Sequence, residues 1–145
     1  MVLFLDCRAL LRFWREESQR RSSEVIEIWE SLLCEDANLS ALGDERWMIV
    51  EQVAVAAMDV HRLEILDHCL KQLRTEFDTD SFRVRRLYAM RCEMVEDYEN
   101  ALEFYDSILA DDDANSQARK RKIAIYKAQK DSARAIQELN RYLKE

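Results

Sequence analysis

A repeat of 34 residues in the second half of the sequence is the feature that most limits the possible folds. Its apolar residues recur one period later, in the pairs Ala101 with Ala135, Tyr105 with Leu139, and Ile108 with Tyr142. Within each copy the apolar residues are spaced by three, four and seven positions, which indicates one stripe along a helix. The residues before each stripe also correspond, with Arg85 matching Arg119. The repeat unit is therefore a pair of helices, which must stack on neighbouring pairs to bury its apolar stripe.

A weaker copy lies upstream, where Leu66, Leu70 and Leu73 precede the stripe that begins at Ala101 by 35 residues. A period of 34 in helix pairs is typical of tetratricopeptide proteins. We therefore predict an all-α, tetratricopeptide-like solenoid of antiparallel helix pairs, about eight helices in all, with a concave groove. Its single helical-repeat domain divides into an N-terminal helix pair (1–43), a degenerate repeat (44–80) and two repeats (81–115 and 116–145).

Local signals predict where these helices begin and end. Ser22 or Ser23 is a candidate cap for the second helix. A loop is expected over residues 36–44, in which Gly43 supplies an unusual backbone angle. Further breaks are predicted near residues 59–62, 76–80, 96, 111–115 and 130–132.

Composition excludes several classes of protein. One glycine and no proline leave little material for tight hairpins and none for glycine-rich phosphate loops. A net charge of -7 argues against nucleic-acid binding, which requires a basic surface. The four cysteines are widely spaced without a CxxC pair, which favours a reducing compartment. No segment approaches the roughly 20 apolar residues of a membrane span.

No group of residues predicts catalysis. His61 and His68 supply two ligands, and two ligands do not make a zinc site. The acidic run at 111–113 begins like a calcium loop but lacks the later glycine and glutamate of that loop. Cys69 and Cys92 fall on apolar stripes and are expected to be buried structural thiols. We predict a protein that is not an enzyme and needs no metal or cofactor.

The first helix of each tetratricopeptide pair lines the groove, which gives candidate partner-binding positions. Counted from Trp47, Phe82 and Ser116, these are the second, fifth, ninth and twelfth residues of each unit. They are Met48, Glu51, Val55 and Met58; Arg83, Arg86, Met90 and Glu93; and Gln117, Lys120, Ala124 and Lys127. The surface mixes charge with methionine, which adapts to irregular partners. A clamp for chaperone tails would need asparagine at the ninth positions, where Val55, Met90 and Ala124 stand.

Two further features could bind partners. One is a basic run formed by Arg119, Lys120, Arg121 and Lys122. It is either a solvated helix face or a docking site for an acidic partner or anionic lipid headgroups. The other is the last apolar stripe, Leu139, Tyr142 and Leu143. Because no polar capping helix follows it, we expect a partner or a neighbouring chain to cover this stripe.

Several segments carry a more specific resemblance. They are LRFWREE at 11–17, LGD at 42–44, YENA at 98–101, ARKRKIAI at 118–125 and ARAIQELN at 133–140. Together they resemble the family of subunit 2 of the endoplasmic reticulum membrane protein complex, a tetratricopeptide family. The resemblance runs from about residue 11 to the C-terminus. It carries over no active-site residue.

The resemblance implies a scaffold subunit at the cytoplasmic face of the endoplasmic reticulum, held there peripherally through its partners. Those partners are the cytosolic segments of membrane subunits and a second soluble subunit, with no nucleic acid. The complex of this family inserts tail-anchored and multi-span proteins without nucleotide hydrolysis. Family members are about twice as long, so a fragment, a shortened isoform or a diverged copy is expected.

Two other functions stay open at this point. A free tetratricopeptide adaptor would bind a peptide or protein in its concave groove, and it would bind short peptides rather than co-purify at fixed stoichiometry. A catalytic or metal protein would carry bound metal near one equivalent. The scaffold is the leading prediction because the resemblance covers most of the chain.

Overall fold

The computed structural model describes residues 2–77 and 81–144, and no strand occurs among them. These residues lie in two compact units, Met1–Phe77 and Asp78–Glu145. The helices of the first unit are α1 (Val2–Glu16), α2 (Ser22–Ile28), α3 (Asp36–Ser40), α4 (Glu45–Asp59) and α5 (Leu63–Glu76). Those of the second are α6 (Phe82–Met94), α7 (Tyr98–Asp111), α8 (Ser116–Ala128) and α9 (Ser132–Lys144). The described helices pack in antiparallel pairs, which confirms the all-α prediction.

The described residues contain nine helices instead of about eight because the expected loop at 36–44 includes the short helix α3. The other predicted breaks fall between helices, although residues 78–80 lie outside the described part of the chain. The proposed division into one domain with boundaries at 44, 81 and 116 stays a prediction.

In the first unit, α4 and α5 form the central pair, and α2 packs against α4. The weak stripe of Leu66, Leu70 and Leu73 is fully buried, so the degenerate copy does supply a core face. Helix α2 continues as a π-helical segment, Trp29–Leu33. Trp29 is buried there.

The start of α2 differs from the sequence prediction. Arg21, in the left-handed conformation (φ 41), occupies the cap position, and no side chain caps the helix. The Ser22 hydroxyl instead donates to Asp59 at 2.6 Å, and Arg20 pairs with the same carboxylate at 2.8 Å. The end of α4 is thus tied to the start of α2. Gly43 does adopt the predicted left-handed backbone (φ 62).

The turn inside each helix pair has the same geometry three times. His61, Glu96 and Lys130 all have positive φ, at 57, 62 and 59. After each one, the next amide donates to the carbonyl five residues back, at 2.8 to 2.9 Å. This is the Schellman arrangement that ends a helix on a left-handed residue. The same arrangement also ends α1, where Ser18 has φ 54 and the Gln19 amide donates to the Trp14 carbonyl at 2.8 Å. None of these four turns uses glycine.

The second unit has α7 between α6 and α8, and α9 against α8. Its core holds the stripe of α7 together with small residues from both neighbours: Ala89, Cys92, Ala101, Tyr105, Ile108, Leu109, Ala118 and Ile125. The alanines let adjacent helices approach closely, and Tyr105 fills the space one turn later. The side chains of Asp97 and Asn115 cap α7 and α8 by accepting hydrogen bonds from backbone amides in the first turn of each helix.

Candidate partner-binding surfaces

The predicted groove positions of the first unit share one face of α4. Met48 is half exposed, and Glu51, Val55 and Met58 are partly buried. Trp47 beside them is also only partly buried, with the Arg46 guanidinium 4.5 Å from its ring centroid. Trp47 is therefore not a core residue, unlike Trp14 and Trp29, which are buried. The α4 face therefore combines an exposed thioether with a partly exposed aromatic ring.

In the second unit the groove positions lie on α6 and α8. Gln117, Lys120 and Lys127 are exposed on α8, whereas Arg83, Arg86, Met90 and Ala124 are partly buried. Arg83 and Arg86 interact with other groups of the chain. The surface of α8 is therefore the more open and the more basic of the two.

One groove candidate serves the fold itself. Glu93 accepts a hydrogen bond from the Tyr105 hydroxyl at 2.6 Å and forms an ion pair with Arg121. Burial and the hydrogen bond to Glu93 raise the pKa of the Tyr105 hydroxyl, so the hydroxyl keeps its proton. The hydrogen bond to Glu93 likewise raises the pKa of Arg121. The three side chains join α6, α7 and α8 and set the spacing of consecutive first helices.

The basic run at the start of α8 is only partly a surface feature. Arg119 and Lys122 are buried, and their charges are compensated within the second unit. Lys122 lies 2.7 Å from Asp106 and 3.2 Å from Glu138, and Arg119 donates to Asp113 at 2.7 Å. Burial alone would lower the pKa of Lys122, but its hydrogen bonds to Asp106 and Glu138 raise it overall.

These pairs explain why four cations tolerate the positive end of a helix, which ordinarily favours anions. Only Lys120 and Arg121 of the run are exposed. Arg121 is paired with Glu93, and Lys120 lies 5.7 Å from the Tyr142 ring centroid. A cation of α6 is compensated in the same way, since Arg85 pairs with Asp111 at 2.8 Å. Asp111 and Asp113 stand just upstream of the run in the sequence, whereas Glu93, Asp106 and Glu138 are partners that only the packing of the helices reveals.

Two of the three residues of the last apolar stripe are exposed. Leu139 and Leu143 are exposed, while Tyr142 is partly buried. The buried side of α9 is formed by Ala135 and Glu138 instead. Ile136, three positions before Leu139, is also exposed.

A cluster in the first unit escaped the sequence analysis altogether. Arg8, Arg12 and Arg15 on α1 all pair with the Glu45 carboxylate at the start of α4. Hydrogen bonds from Arg12 and Arg8 outweigh burial and lower the pKa of Glu45 to about 2. The sequence does contain a signal for this cluster, because the three arginines are spaced by four and three positions and therefore share one helix face. The carboxylate is satisfied within the chain, so we assign the cluster to joining α1 and α4.

The thiols and imidazoles fit the structural interpretation. Cys69 and Cys92 are buried, and burial raises the pKa of Cys69 to about 12. His61 lies in a turn, and His68 contacts the edge of Trp29. Among the described residues, no three His, Cys, Asp or Glu side chains are grouped suitably for a metal. Within that same part of the chain, no helix has both the length and the apolar character to cross a membrane.

Comparison with known proteins tests the resemblance. A Xenopus tropicalis protein named ER membrane protein complex subunit 2 is 50% identical over 144 residues, 99% of this chain and 48% of the relative. A Dictyostelium discoideum protein of the same name is 33% identical over 136 residues, 94% of this chain and 42% of the relative. The Schizosaccharomyces pombe TPR repeat protein oca3 is 30% identical over 107 residues, 74% and 38% of the two chains.

These similarities confirm the predicted resemblance and the tetratricopeptide-like fold. The chain spans about half the length of the curated relatives it matches. No protein-family profile matches it.

Proposed function

We propose that this chain, a homologue of proteins named ER membrane protein complex subunit 2, is a non-catalytic scaffold subunit of that complex. In this role it supports the energy-independent insertion of tail-anchored and multi-span membrane proteins. The observation that carries the proposal is 46% to 50% identity to three such relatives over 144 residues. The 144 matched residues extend over all the helices described above.

A helical-repeat protein acts through extended surfaces rather than a single pocket. The α4 face around Met48 and the exposed side of α8 around Lys120 and Lys127 are the surfaces we assign to partners. Those partners are the cytosolic segments of membrane subunits and a second soluble subunit. Association with the cytoplasmic face of the endoplasmic reticulum is peripheral and depends on these partners. A net charge of -7 disfavours direct attraction to anionic lipid.

Affinity purification of the tagged chain in mild detergent, followed by quantitative mass spectrometry, tests the proposal. We expect several membrane subunits at near-equal stoichiometry. The variant Met48→Asp should lose part of this recovery, whereas Val95→Asp, at a comparably exposed apolar position, should not. Recovery of no subunit, with short peptides binding instead, would replace the scaffold with the adaptor alternative.

A further inference from the structure

The connection between α1 and α2 is an exposed basic segment. Residues 16–21 are all exposed, and residues 17–21 belong to no helix. Arg20 and Arg21 stand in this connection, and their side chains are 66% and 54% exposed. Ser23 follows them in the first turn of α2 and is also exposed. One hydroxyl and two guanidinium groups are therefore accessible together on the surface of the first unit.

The spacing of these three residues is a charge pattern that basophilic protein kinases recognise. Such kinases bind arginine side chains three and two positions before the serine that they phosphorylate, through acidic groups of their own. Ser23 has Arg20 and Arg21 at those two positions. No other serine or threonine of the sequence has both arginines; Ser22, for example, has Gln19 three positions before it. The pattern therefore singles out one hydroxyl.

The start of α2 is held by a contact with the end of α4 rather than by a cap of its own. The Ser22 hydroxyl donates to one oxygen of the Asp59 carboxylate at 2.6 Å, and Arg20 donates to the other at 2.8 Å. The cap residue, Arg21, has a left-handed backbone and makes no side-chain cap bond. Exposed ion pairs contribute little stability, and segments with few buried contacts open at low free energy. The first turn can therefore open and present Ser23 to a kinase.

We propose that Ser23 is a phosphorylation site for a basophilic protein kinase, and that its phosphate competes with Asp59 for Arg20. In the transfer, the Ser23 hydroxyl oxygen bonds to the γ-phosphorus of ATP. The bond from that phosphorus to the β,γ-bridging oxygen breaks, ADP leaves, and the hydroxyl proton passes to the catalytic base of the kinase. Phosphoserine carries a charge of about -1.5 to -2 at pH 7, which exceeds the single charge of Asp59. The phosphate is therefore the stronger acceptor for the Arg20 guanidinium.

The phosphate weakens the contact between α2 and α4 in two ways. It draws Arg20 away from Asp59, and its charge repels the Asp59 carboxylate, which is hydrogen-bonded to the neighbouring Ser22. Because no side chain caps α2, the first turn then loses the contact that holds it. The modification regulates the packing of the first unit, and the inference does not depend on the scaffold function.

Incubation of the whole folded chain with the catalytic subunit of cyclic-AMP-dependent protein kinase and Mg²⁺-ATP tests the site. A free peptide of residues 15–27 is the reference, because its hydroxyls are accessible whatever the fold does. We expect tandem mass spectrometry to place phosphate on Ser23 of the chain, at an initial rate within about tenfold of that of the peptide. Phosphate on the peptide alone, on neither substrate, or on Ser22 instead of Ser23 would overturn the assignment.

Matched variants separate the charge pattern from its surroundings. Ser23→Ala should remove the phosphate, whereas Ser40→Ala, at another exposed serine of the first unit, should leave it. Arg21→Gln should slow the reaction at least about tenfold, because it removes a guanidinium that the kinase binds. Asp59→Asn should accelerate it about threefold, the size of one exposed ion pair. Circular dichroism verifies that each variant is folded, and a rate insensitive to Arg21→Gln would contradict recognition of the charge pattern.

Hydrogen exchange on the phosphorylated chain tests the competition for Arg20. The Val25 amide, which donates to the Arg21 carbonyl at 2.9 Å, should exchange at least about threefold faster than in the unmodified chain. The same comparison in Asp59→Asn should give a smaller change, because the phosphate then has no carboxylate to displace or repel. An unchanged exchange rate, or an equal change in both chains, would overturn the competition. Neither readout involves membrane subunits, so this inference and the scaffold proposal can fail separately.

Discussion

Replacing Glu45 with glutamine removes the one negative charge that three arginines of α1 share. Arg12 donates to the Glu45 carboxylate at 2.9 Å, and Arg15 donates to it at 2.7 Å. Arg8 pairs with the same group. Glutamine keeps the shape of the side chain but not its charge. The substitution therefore isolates the electrostatic contribution of the ion pairs that join α1 to α4.

The magnitude follows from the pKa of Glu45, which the hydrogen bond from Arg12 does most to lower, from 4.5 to about 2. That difference corresponds to about 3.4 kcal/mol at neutral pH. Arg12 is half exposed, so solvent screens part of the interaction, and we expect about 1 to 2 kcal/mol. Because the pKa is lower in the folded state, this stabilisation is complete above pH 4.5 and is lost as the pH falls through 2.

Tryptophan fluorescence measures the effect in the correct unit, because all three tryptophans lie in the first unit. Urea titrations at pH 7 should show that Glu45→Gln lowers the free energy of unfolding by the expected amount. At pH 3 the decrease should be less than about half as large. Glu24→Gln is the control, since its partner Arg21 is 3.7 Å away and both side chains are exposed. A difference between the unaltered chain and Glu45→Gln that is the same at both pH values would refute the electrostatic reasoning.

Three more outcomes follow from the structure. Glu138→Ala leaves buried Lys122 with one acidic partner, and should cost about 2 to 4 kcal/mol. Hydrogen exchange should show that amide protection is lost in α8 and α9. The control Glu103→Ala, at an exposed position, should leave amide protection unchanged. Gly43→Ala places a side chain at φ 62 and should cost about 1 kcal/mol in urea titration, through backbone strain alone. Alkylation at pH 8 should modify exposed Cys34 in the folded chain. Cys69, with its raised pKa, should react only after unfolding.

The helix pairs could be predicted because their cause is periodic. A stripe of apolar residues at helical spacing must be buried, and the structure buries Leu66, Leu70 and Leu73 even in the degenerate copy. The short helix α3 was missed because five residues are too few to show a period. The start of α2 was missed because the tertiary contact from Ser22 to Asp59 replaces local capping.

The charged residues were harder to predict. Local patterns treat a run such as Arg119 to Lys122 as one solvated face. The structure instead gives each buried cation an acid from another helix, such as Asp106 on α7 or Glu138 on α9. Pairing of this kind depends on which helices become neighbours. The sequence around either partner does not contain that information.

The repeats of the second unit share one backbone plan but differ in the charge that joins them. Glu93 on α6 forms an ion pair with Arg121 on α8 and accepts a hydrogen bond from the Tyr105 hydroxyl on α7. One period later, Lys127 and Leu139 stand in the places of Glu93 and Tyr105. A helix with a cation at the position of Arg121 would be favoured on α7 and opposed on α9 by the charge of Lys127. Apolar burial alone could not distinguish these two faces, because it is non-directional. The change of sign therefore makes the two faces electrostatically different although their apolar patterns match.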